Sequence, residues 1–329
     1  MRTPRRTLIL AVVALAALTA AGCGRGEGAA GGPSGTKDAT LIMSTLNNPF
    51  FVSVADGAKA QAAGAGLNLS VQNANNSDQS ALDLTTTSLA KKPAVLIIDP
   101  VGSQSGTAMT KAANAAGVPV MAFDRRPDSG NLATFIGYDA VQAGKNAAAS
   151  LGEALGGKGK VVEIQGILGT NVAQDRSKGF RAGIAAFPDI QVVATQAADF
   201  DRGKALNVMT NVLQANPNID GVYAANDEMA LGVVAALSAQ GKAGTVKVVG
   251  NDGIADAIAA VSAGTMYSTN AESPYALGQE VVKLASSVAK GEQVAAEKVL
   301  QGKLVKKADV SSYCQYLTSI GDTKGCPAG

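Results

Sequence analysis

Residues 44–51 combine the side chains that best suit ligand recognition in this chain. They read Ser-Thr-Leu-Asn-Asn-Pro-Phe-Phe, and they lie between a short apolar run at 39–43 and a stretch with helical spacing. Adjacent phenyl rings beside amide groups suit a ligand with apolar faces and a rim of hydroxyls, such as a sugar. The alternative for Phe50 and Phe51 is core packing, since most phenylalanines are buried.

Polar groups, mostly carboxylates and amides, follow nearly every apolar run of strand length. Asp99, Asp124 and Asn226 are examples, each placed directly after such a run. In open α/β sheets the carboxyl ends of the strands form the edge where ligands bind. Asp, Asn and Ser at these junctions also cap helices, and we interpret Asp99, Asp139 and Asp227 as caps.

Arg125 and Arg176 need another explanation, because both are predicted near helix starts. A positive charge there opposes the helix dipole. A guanidinium group paired with carboxylates and amides can instead hold adjacent hydroxyls. The alternative for each arginine is a salt bridge on the surface or between lobes.

The elements that must position these residues alternate along the chain. This alternation predicts an α/β protein with two doubly wound, mostly parallel sheets, each covered by helices on both faces. Strands are predicted at residues 39–45, 67–73, 94–99, 118–123, 134–138, 160–165, 190–196, 221–225, 246–250 and 266–270. Helices are predicted at residues 51–63, 79–90, 104–116, 140–155, 175–186, 204–215, 228–240 and 274–290.

Composition narrows the possible functions. The chain has 329 residues, 47% of them apolar, a net charge of +2 and no His. The lack of His excludes Ser-His and Cys-His catalysis and His-ligated metals, and the charge gives no reason to expect nucleic acid. A glycine pattern at residues 26–31 has no strand before it, so no dinucleotide site is predicted. We expect no cofactor and no metal.

The N-terminus is predicted to be a bacterial lipoprotein signal at residues 1–22. Arginines precede an apolar run at 8–18, and small residues lead into Cys23, although Ala20 replaces the usual Leu. Cys23 would then carry lipid, and residues 23–38, rich in Gly, would form a flexible tether. The alternative is an ordinary secretory signal followed by a chance cysteine.

Cys314 and Cys326 are the other two cysteines of the chain. In an exported protein a disulfide between them is the expected state, and it would pin the C-terminal tail. Two free thiols are the alternative.

Several motifs together resemble a known family. They are the segment at 44–51, Asp124-Arg125, and the stretches at 165–170, 198–202, 207–209 and 226–232. These resemble ribose-binding proteins, which are type I periplasmic binding proteins that serve ABC sugar importers. The resemblance covers residues 39 to about 307.

The resemblance implies two lobes with a sugar clamped between them. Three crossings would join the lobes near residues 138–139, 272–273 and 301–302. The first lobe would comprise residues 39–138 and 273–301, and the second residues 139–272 and 302–329. Two phenyl rings would sandwich the sugar while charged groups bind its hydroxyls. The implied ligand-binding residues are Ser44, Asn48, Phe50, Phe51, Asp124 and Arg125 from the first lobe and Arg176, Phe200, Asn226 and Asp252 from the second.

Two positions depart from the family pattern near the expected site. Glu272 replaces a glutamine, and Asn251 replaces the phenylalanine before the matched aspartate. Ionised Glu only accepts hydrogen bonds, whereas Gln also donates. We include Glu272 among the ligand-binding residues, and both changes would shift the ligand from ribose toward another pentose, a pentitol or a related polyol.

The expected function is therefore an extracytoplasmic, lipid-anchored, monomeric solute-binding protein. It would capture a small neutral monosaccharide by hinge closure and deliver it to an ABC permease at the cell membrane. A sensory receptor for a sugar-like signal is the alternative. A carbohydrate-modifying enzyme is a further one, disfavoured by the missing His and phosphate-binding motifs.

Overall fold

The structure is a computed structural model that describes residues 37–327. The predicted signal peptide at 1–22, Cys23 and the tether up to residue 36 lie outside the described residues. Among the described residues, no helix has the length and apolar character needed to span a bilayer.

The first lobe is built on a six-stranded parallel sheet. In spatial order its strands are β11 (Glu297–Leu300), β5 (Phe135–Tyr138), β4 (Val120–Phe123), β3 (Val95–Ile98), β1 (Lys37–Met43) and β2 (Leu67–Asn73). The helices of this lobe are α1 (Pro49–Ala62), α2 (Asp78–Ala90), α3 (Ser103–Ala115) and α9 (Pro274–Lys290).

Both faces of this first sheet are buried. Leu41 and Met43 of β1 belong to the cluster that includes α1 and α9, whereas Ile42 packs with α2 and α3. Successive side chains of a strand point to opposite faces. An apolar strand such as β1 therefore needs helices on both sides, which is why the lobe is doubly wound.

The second lobe has a six-stranded sheet in which only the pairing of β10 with β12 is antiparallel among the described strands. In spatial order its strands are β12 (Lys303–Lys306), β10 (Ser268–Ala271), β9 (Lys247–Asp252), β8 (Gly221–Ala224), β6 (Lys158–Gln165) and β7 (Asp189–Ala197). Its helices are α4 (Ala140–Ala154), α5 (Asn171–Ile184), α6 (Arg202–Ala215), α7 (Asp227–Ser238), α8 (Ala255–Ala263) and α10 (Val310–Ser319), with a 3₁₀ turn at Lys307–Asp309.

The chain crosses between the lobes three times, as predicted. The crossings run from β5 to α4, from β10 to α9 and from β11 to β12. The Asp139 N–H donates to the Leu300 carbonyl at 2.9 Å, which ties the first crossing to the third. Ser273, in the second crossing, has a left-handed backbone with φ of 40°.

Two glycines let α4 and α5 pack in backbone contact. A Cβ on Gly144 would lie 2.1 Å from the Arg176 carbonyl oxygen, and one on Gly179 would lie 2.0 Å from the Val141 carbonyl oxygen. Larger residues would push the helices apart. This close packing fixes the position of α5, and with it the position of Arg176.

The C-terminal tail packs on the second lobe and reaches the first. Tyr313 is buried in a cluster of second-lobe side chains, and a disulfide joins Cys314 to Cys326. Beyond α10, Lys324 Nζ lies 2.9 Å from the Asp56 carboxylate of α1. The tail therefore contacts both lobes beside the second crossing.

The sequence reasoning missed several elements, placed most boundaries within two residues and misplaced the start of α5 by four. It did not predict α8, β11, β12 or α10, and it started α5 at Asp175 although the helix begins at Asn171. Arg176 therefore lies in the second turn of α5. Arg125 follows β4 in a loop that leads to β5, with no helix start nearby. The argument that both arginines sit at helix starts was wrong.

Candidate functional site

The loop after β1 brings one amide and two phenyl rings to the edge of the first sheet. Asn48 is the N-cap of α1, and its Oδ1 accepts from the Phe50 N–H at 2.9 Å. The Nδ2 group of Asn48 has no hydrogen-bond partner among the described residues, so it is available to donate to a ligand. The rings of Phe50 and Phe51 meet edge to face, with centroids 5.2 Å apart.

The turn after β4 supplies an aspartate and an arginine. Asp124 has a left-handed backbone with φ of 55°, a conformation that costs energy for a non-glycine residue. Arg125 is buried, and its Nη1 donates to the Pro100 and Val101 carbonyls at 3.3 and 3.1 Å. Its guanidinium carbon lies 5.3 Å from the centroid of the Phe51 ring.

Asp99 fixes this half of the site from behind. Its Oδ2 accepts from the Ser44 N–H at 3.0 Å and from the Ser44 hydroxyl, and its Oδ1 lies 3.9 Å from Arg125 Nε. Burial raises the pKa of Asp99 to about 7, although Arg125 opposes the shift. Asp99 does not cap a helix, because Gly102 is the N-cap of α3. The capping interpretation of Asp99 was therefore wrong.

The second lobe presents Arg176 from α5. This side chain is buried, and its Nη1 donates to the Ala225 carbonyl at 2.8 Å. Its Nη2 donates to Glu272 at 2.9 Å and lies 3.4 Å from Asp252 Oδ1. Burial lowers the pKa of Arg176, but Glu272 and Asp252 more than compensate, so the net shift is upward and the arginine stays charged.

Phe200 forms the aromatic wall of the second lobe. Its backbone is left-handed, with φ of 58°, and its ring lies directly over Gly166. The Arg125 guanidinium carbon of the opposite lobe is 5.8 Å from the ring centroid. Arg125 thus has one aromatic ring from each lobe within 6 Å, an arrangement that favours a cation.

Asn226 and Asp227 divide two tasks at the start of α7. Asn226 is the N-cap, with Oδ1 accepting from the Met229 N–H at 3.0 Å. Asp227 Oδ2 instead accepts from the Gly253 N–H at 2.7 Å, which holds the loop that follows Asp252. Burial raises the pKa of Asp227 to about 7. The capping interpretation is right for Asp139, the N-cap of α4, and wrong for Asp227.

Nine of the eleven predicted ligand-binding residues line one cavity of about 20 Å³ between the lobes, a space the size of a single water molecule, and Val172 also lines it. The nine are Asn48, Phe50, Phe51, Asp124, Arg125, Arg176, Phe200, Asn226 and Asp252. A larger groove of about 560 Å³ runs between α1, α8 and the tail, but it holds one aromatic ring, Tyr275, and one ion pair, Lys324 with Asp56.

Ser44 and Glu272 do not line this cavity. Both are buried, and the hydrogen bonds of Ser44 go to Asp99. Both Glu272 oxygens are engaged, one by Arg176 and the other by Asn251. Burial raises the pKa of Glu272, while Arg176 and Asn251 oppose the shift. These two residues stand behind the cavity wall.

The lobes are closed in this structure. The Arg126 N–H of the first lobe donates to Asn171 Oδ1 of the second at 2.8 Å, and the Ser103 N–H donates to the Gly169 carbonyl at 3.2 Å. These bonds lie on α3 and α5, away from the crossings. Both lobes would enclose a ligand held by the lining residues, and the cavity of this closed form would have to widen to take a sugar.

The cavity is electrically balanced and partly apolar. Its lining carries the cations Arg125 and Arg176 and the carboxylates Asp124 and Asp252. Burial raises the pKa of both carboxylates, and the arginines oppose the shift. Such a lining can hold ring faces against phenyl groups and bind hydroxyls through donors and acceptors, without selecting a net charge.

Sequence reasoning missed Asp99, Asp227, Val172 and Gly166 as parts of the site. The only signal for the two aspartates was their place directly after a strand, which capping also explained. Gly166 stood in a motif of the resembled family, but its reason, the close approach of the Phe200 ring, requires the fold. The pairing of these residues across distant strands could not be derived from local sequence.

Comparison with known proteins gives consistent relatives. The ribose import binding protein of Salmonella typhimurium is 42% identical over 267 residues, which cover 81% of this chain and 90% of that protein. The xylitol-binding protein of Mycolicibacterium smegmatis is 30% identical over 298 residues, covering 90% of this chain and 84% of that protein.

A solved structure gives the same picture. An ABC transporter periplasmic solute binding protein from Actinobacillus succinogenes, with bound D-allose, matches with a TM-score of 0.81 and 33% identity. The match covers 84% of this chain and 100% of that one. The model of the periplasmic binding protein domain matches residues 39–293. The predicted resemblance and the two-lobed α/β fold are thereby confirmed, and the chain belongs to the periplasmic binding protein family.

Proposed function

We propose that this protein captures a neutral monosaccharide or related polyol, ribose or a similar pentose or pentitol, by closing its two lobes around it. The observation that carries the proposal is the convergence of rings and charged groups from both lobes on one closed cavity. The relatives named for ribose and xylitol, and the structure with D-allose, support the same ligand class.

The lining argues for an uncharged ligand. Arg125 and Arg176 are matched by Asp124 and Asp252, so a charged ligand would leave an uncompensated charge in a buried site. Hydroxyl groups can donate to the carboxylates and accept from the arginines at the same time. The apolar faces of a sugar ring would stack against the phenyl groups that line the cavity.

The nine lining residues act as the ligand contacts in this proposal. Asn48 and Asn226 each spend Oδ1 on a helix cap and present Nδ2 as a donor. Phe51 and Phe200 lie on opposite lobes and provide the two ring contacts. Ligand binding then joins the lobes, since each face of the sugar touches a different lobe.

The protein would work outside the cytoplasm, with an ABC permease as its partner and as a monomer. We also propose that Cys23 is lipidated and anchors it to the membrane. Incorporation of labelled palmitate into the wild type, with loss of the label in Cys23→Ala, would support the anchor. Equal release of both proteins into the soluble fraction would contradict it.

A thermal-shift panel of pentoses, pentitols, hexoses and hexitols tests the main proposal, followed by calorimetry on the members that shift the melting temperature. We expect saturable 1:1 binding of at least one pentose or pentitol. Recovery of the sugar unchanged after incubation is also expected, because no turnover is proposed. Failure of every member to bind, or conversion of a sugar to product, would overturn the proposal.

A further inference from the structure

Glu272 occupies an unusual place at the second crossing. Its side chain is 1% exposed and does not line the cavity, yet it lies directly behind a residue that does. Oε2 accepts from Arg176 Nη2 at 2.9 Å, and Oε1 accepts from Asn251 Nδ2 at 2.9 Å. Both oxygens are thus engaged by protein groups, and Arg176 stands between the carboxylate and the cavity.

A chain of amides continues from Glu272 to the surface. Asn251 Oδ1 accepts from Asn270 Nδ2 at 3.0 Å, and Asn270 Oδ1 accepts from Asn146 Nδ2 at 3.0 Å. Asn146 Oδ1 accepts from Gln142 Nε2 at 2.9 Å, where the chain reaches the exposed surface of α4. Each of the three asparagines donates toward Glu272 and accepts from the side away from it.

The direction of this chain follows from the chemistry of its inner end. An ionised carboxylate only accepts, so Asn251 must turn its NH₂ group toward Glu272 and its oxygen toward Asn270. Asn270 and Asn146 must therefore also turn their NH₂ groups toward Glu272. Asn251 and Asn270 are 1% and 0% exposed, so water cannot satisfy a reversed amide there.

We propose that Glu272 is a positioning residue for Arg176, and that the amide chain through Asn251 and Asn270 holds it in place. This inference rests on the proposed function, since Arg176 is one of the proposed ligand contacts. Arg176 has a further bond to the Ala225 carbonyl, so two acceptors fix the plane of its guanidinium. The network then sets how well Arg176 is oriented, which governs affinity for every ligand that this arginine touches.

Glu272→Gln is the informative substitution. A glutamine accepts on one side and donates on the other, so Arg176 or Asn251 faces an N–H group if Asn251 keeps its orientation. If the amide chain reverses instead, Asn251 Oδ1 takes the place of Nδ2, 3.3 Å from Asp252 Oδ1, and is repelled there. We expect the Kd to rise at least tenfold for every sugar that the wild type binds, with the rank order of the sugars unchanged. A ligand contact at this position would instead alter the rank order.

The double variant Asn251→Asp with Glu272→Gln keeps the number of carboxylates and restores complementarity. The aspartate at position 251 accepts from both Asn270 and the new glutamine, whose oxygen accepts from Arg176. Asn251 Nδ2 also lies 3.3 Å from Asp252 Oδ1, so the new carboxylate meets some repulsion there. We therefore expect recovery of at least threefold in Kd over the single variant. Gln142→Ala, at the exposed end of the chain, is the control and should bind like the wild type.

The side-chain Nε–H resonance of Arg176 provides a readout that needs no ligand. Its assignment can be made with Arg176→Lys, and we expect it to shift in Glu272→Gln and to return toward the wild-type position in the double variant. An unshifted resonance, a changed rank order of sugars, or a double variant that binds no better than the single one would overturn the inference. If the wild type binds no sugar, the proposed function fails, whereas the resonance still decides the positioning role.

Discussion

Replacement of Gly166 by alanine is expected to weaken ligand binding while leaving the fold intact. A Cβ at this position would lie 2.1 Å from Cζ of Phe200, whereas ordinary contact begins at 3.4 Å. The ring therefore has to withdraw by more than an ångström. The backbone of Phe200 is left-handed, with φ of 58°, so a main-chain shift can do little to help the ring withdraw.

The displaced ring loses two interactions. It moves away from the Arg125 guanidinium, 5.8 Å from its centroid, a contact worth about 0.5–2 kcal/mol depending on desolvation. It also loses its place against the proposed ligand. A total of about 1–2 kcal/mol corresponds to a Kd roughly 5 to 30 times higher. The clash involves the free end of a side chain, so the melting temperature of the free protein should fall by no more than about 2–4 °C.

Gly169→Ala is the matched control, because it lies in the same loop and its Cβ would meet no atom within 4 Å. Calorimetry with the best ligand of the sugar panel gives the Kd of both variants, and thermal denaturation without ligand checks the fold. An unchanged Kd in Gly166→Ala would refute the role assigned to Phe200. Equal losses in both variants would point to the loop backbone and would also refute it.

Three further predictions follow from the same geometry. Arg125→Ala should cost about 2 kcal/mol or more of binding free energy by calorimetry, because it removes a buried charge. Arg126, whose side chain is 40% exposed, is the control, and Arg126→Ala should bind normally. Similar losses in both variants would contradict this prediction. Binding should tighten as the pH rises through the pKa of Asp252, which burial raises well above its ordinary value, because ligand hydroxyls favour the ionised form. Binding then releases a proton. Calorimetry in two buffers of different protonation enthalpy measures the number of protons exchanged, and proton uptake on binding would contradict this prediction. Reduction of the disulfide between Cys314 and Cys326 should destabilise the tail by about 3 kcal/mol in the chain-entropy model, and unchanged amide exchange there would contradict this.

The parallel sheets could be predicted because their signal is local. The strand Val95–Ile98 is an uninterrupted apolar run, and burial on both faces requires such a run. The strands Glu297–Leu300 and Lys303–Lys306 gave no such signal, since each has four residues of which two are charged. They exist because they pair with β5 and β10 at the crossings, and pairing partners far along the chain are not visible in a local pattern.

The missed helices have a similar cause. The helix Val310–Ser319 has only ten residues and a polar sequence, too short to be stable alone. Packing of Tyr313 against the second lobe and the nearby disulfide hold it in place. The early start of α5 also escaped notice, because Thr170, which caps it, follows a glycine-rich loop that resembled a longer connection.

The position of site residues was predictable, but their division of labour was not. A polar residue after a buried strand indicated the correct edge of each sheet for Asp124, Asn226 and Asp252. Which residue touches the cavity and which supports it from behind depends on hydrogen bonds between distant segments. Ser44 bonds to a residue 55 positions away and Glu272 to one 96 positions away, so no local pattern could separate the two roles.

The same comparison shows that capping and ligand binding are not competing explanations for a polar residue at a strand-to-helix junction. Asn48 and Asn226 cap their helices with Oδ1, and both also line the cavity. An asparagine has an acceptor and a donor end, so the cap fixes which end faces the cavity. Aspartate in the same place would present a second acceptor instead. The cap therefore orients a donor toward the cavity, and the helix that it begins holds that donor in place.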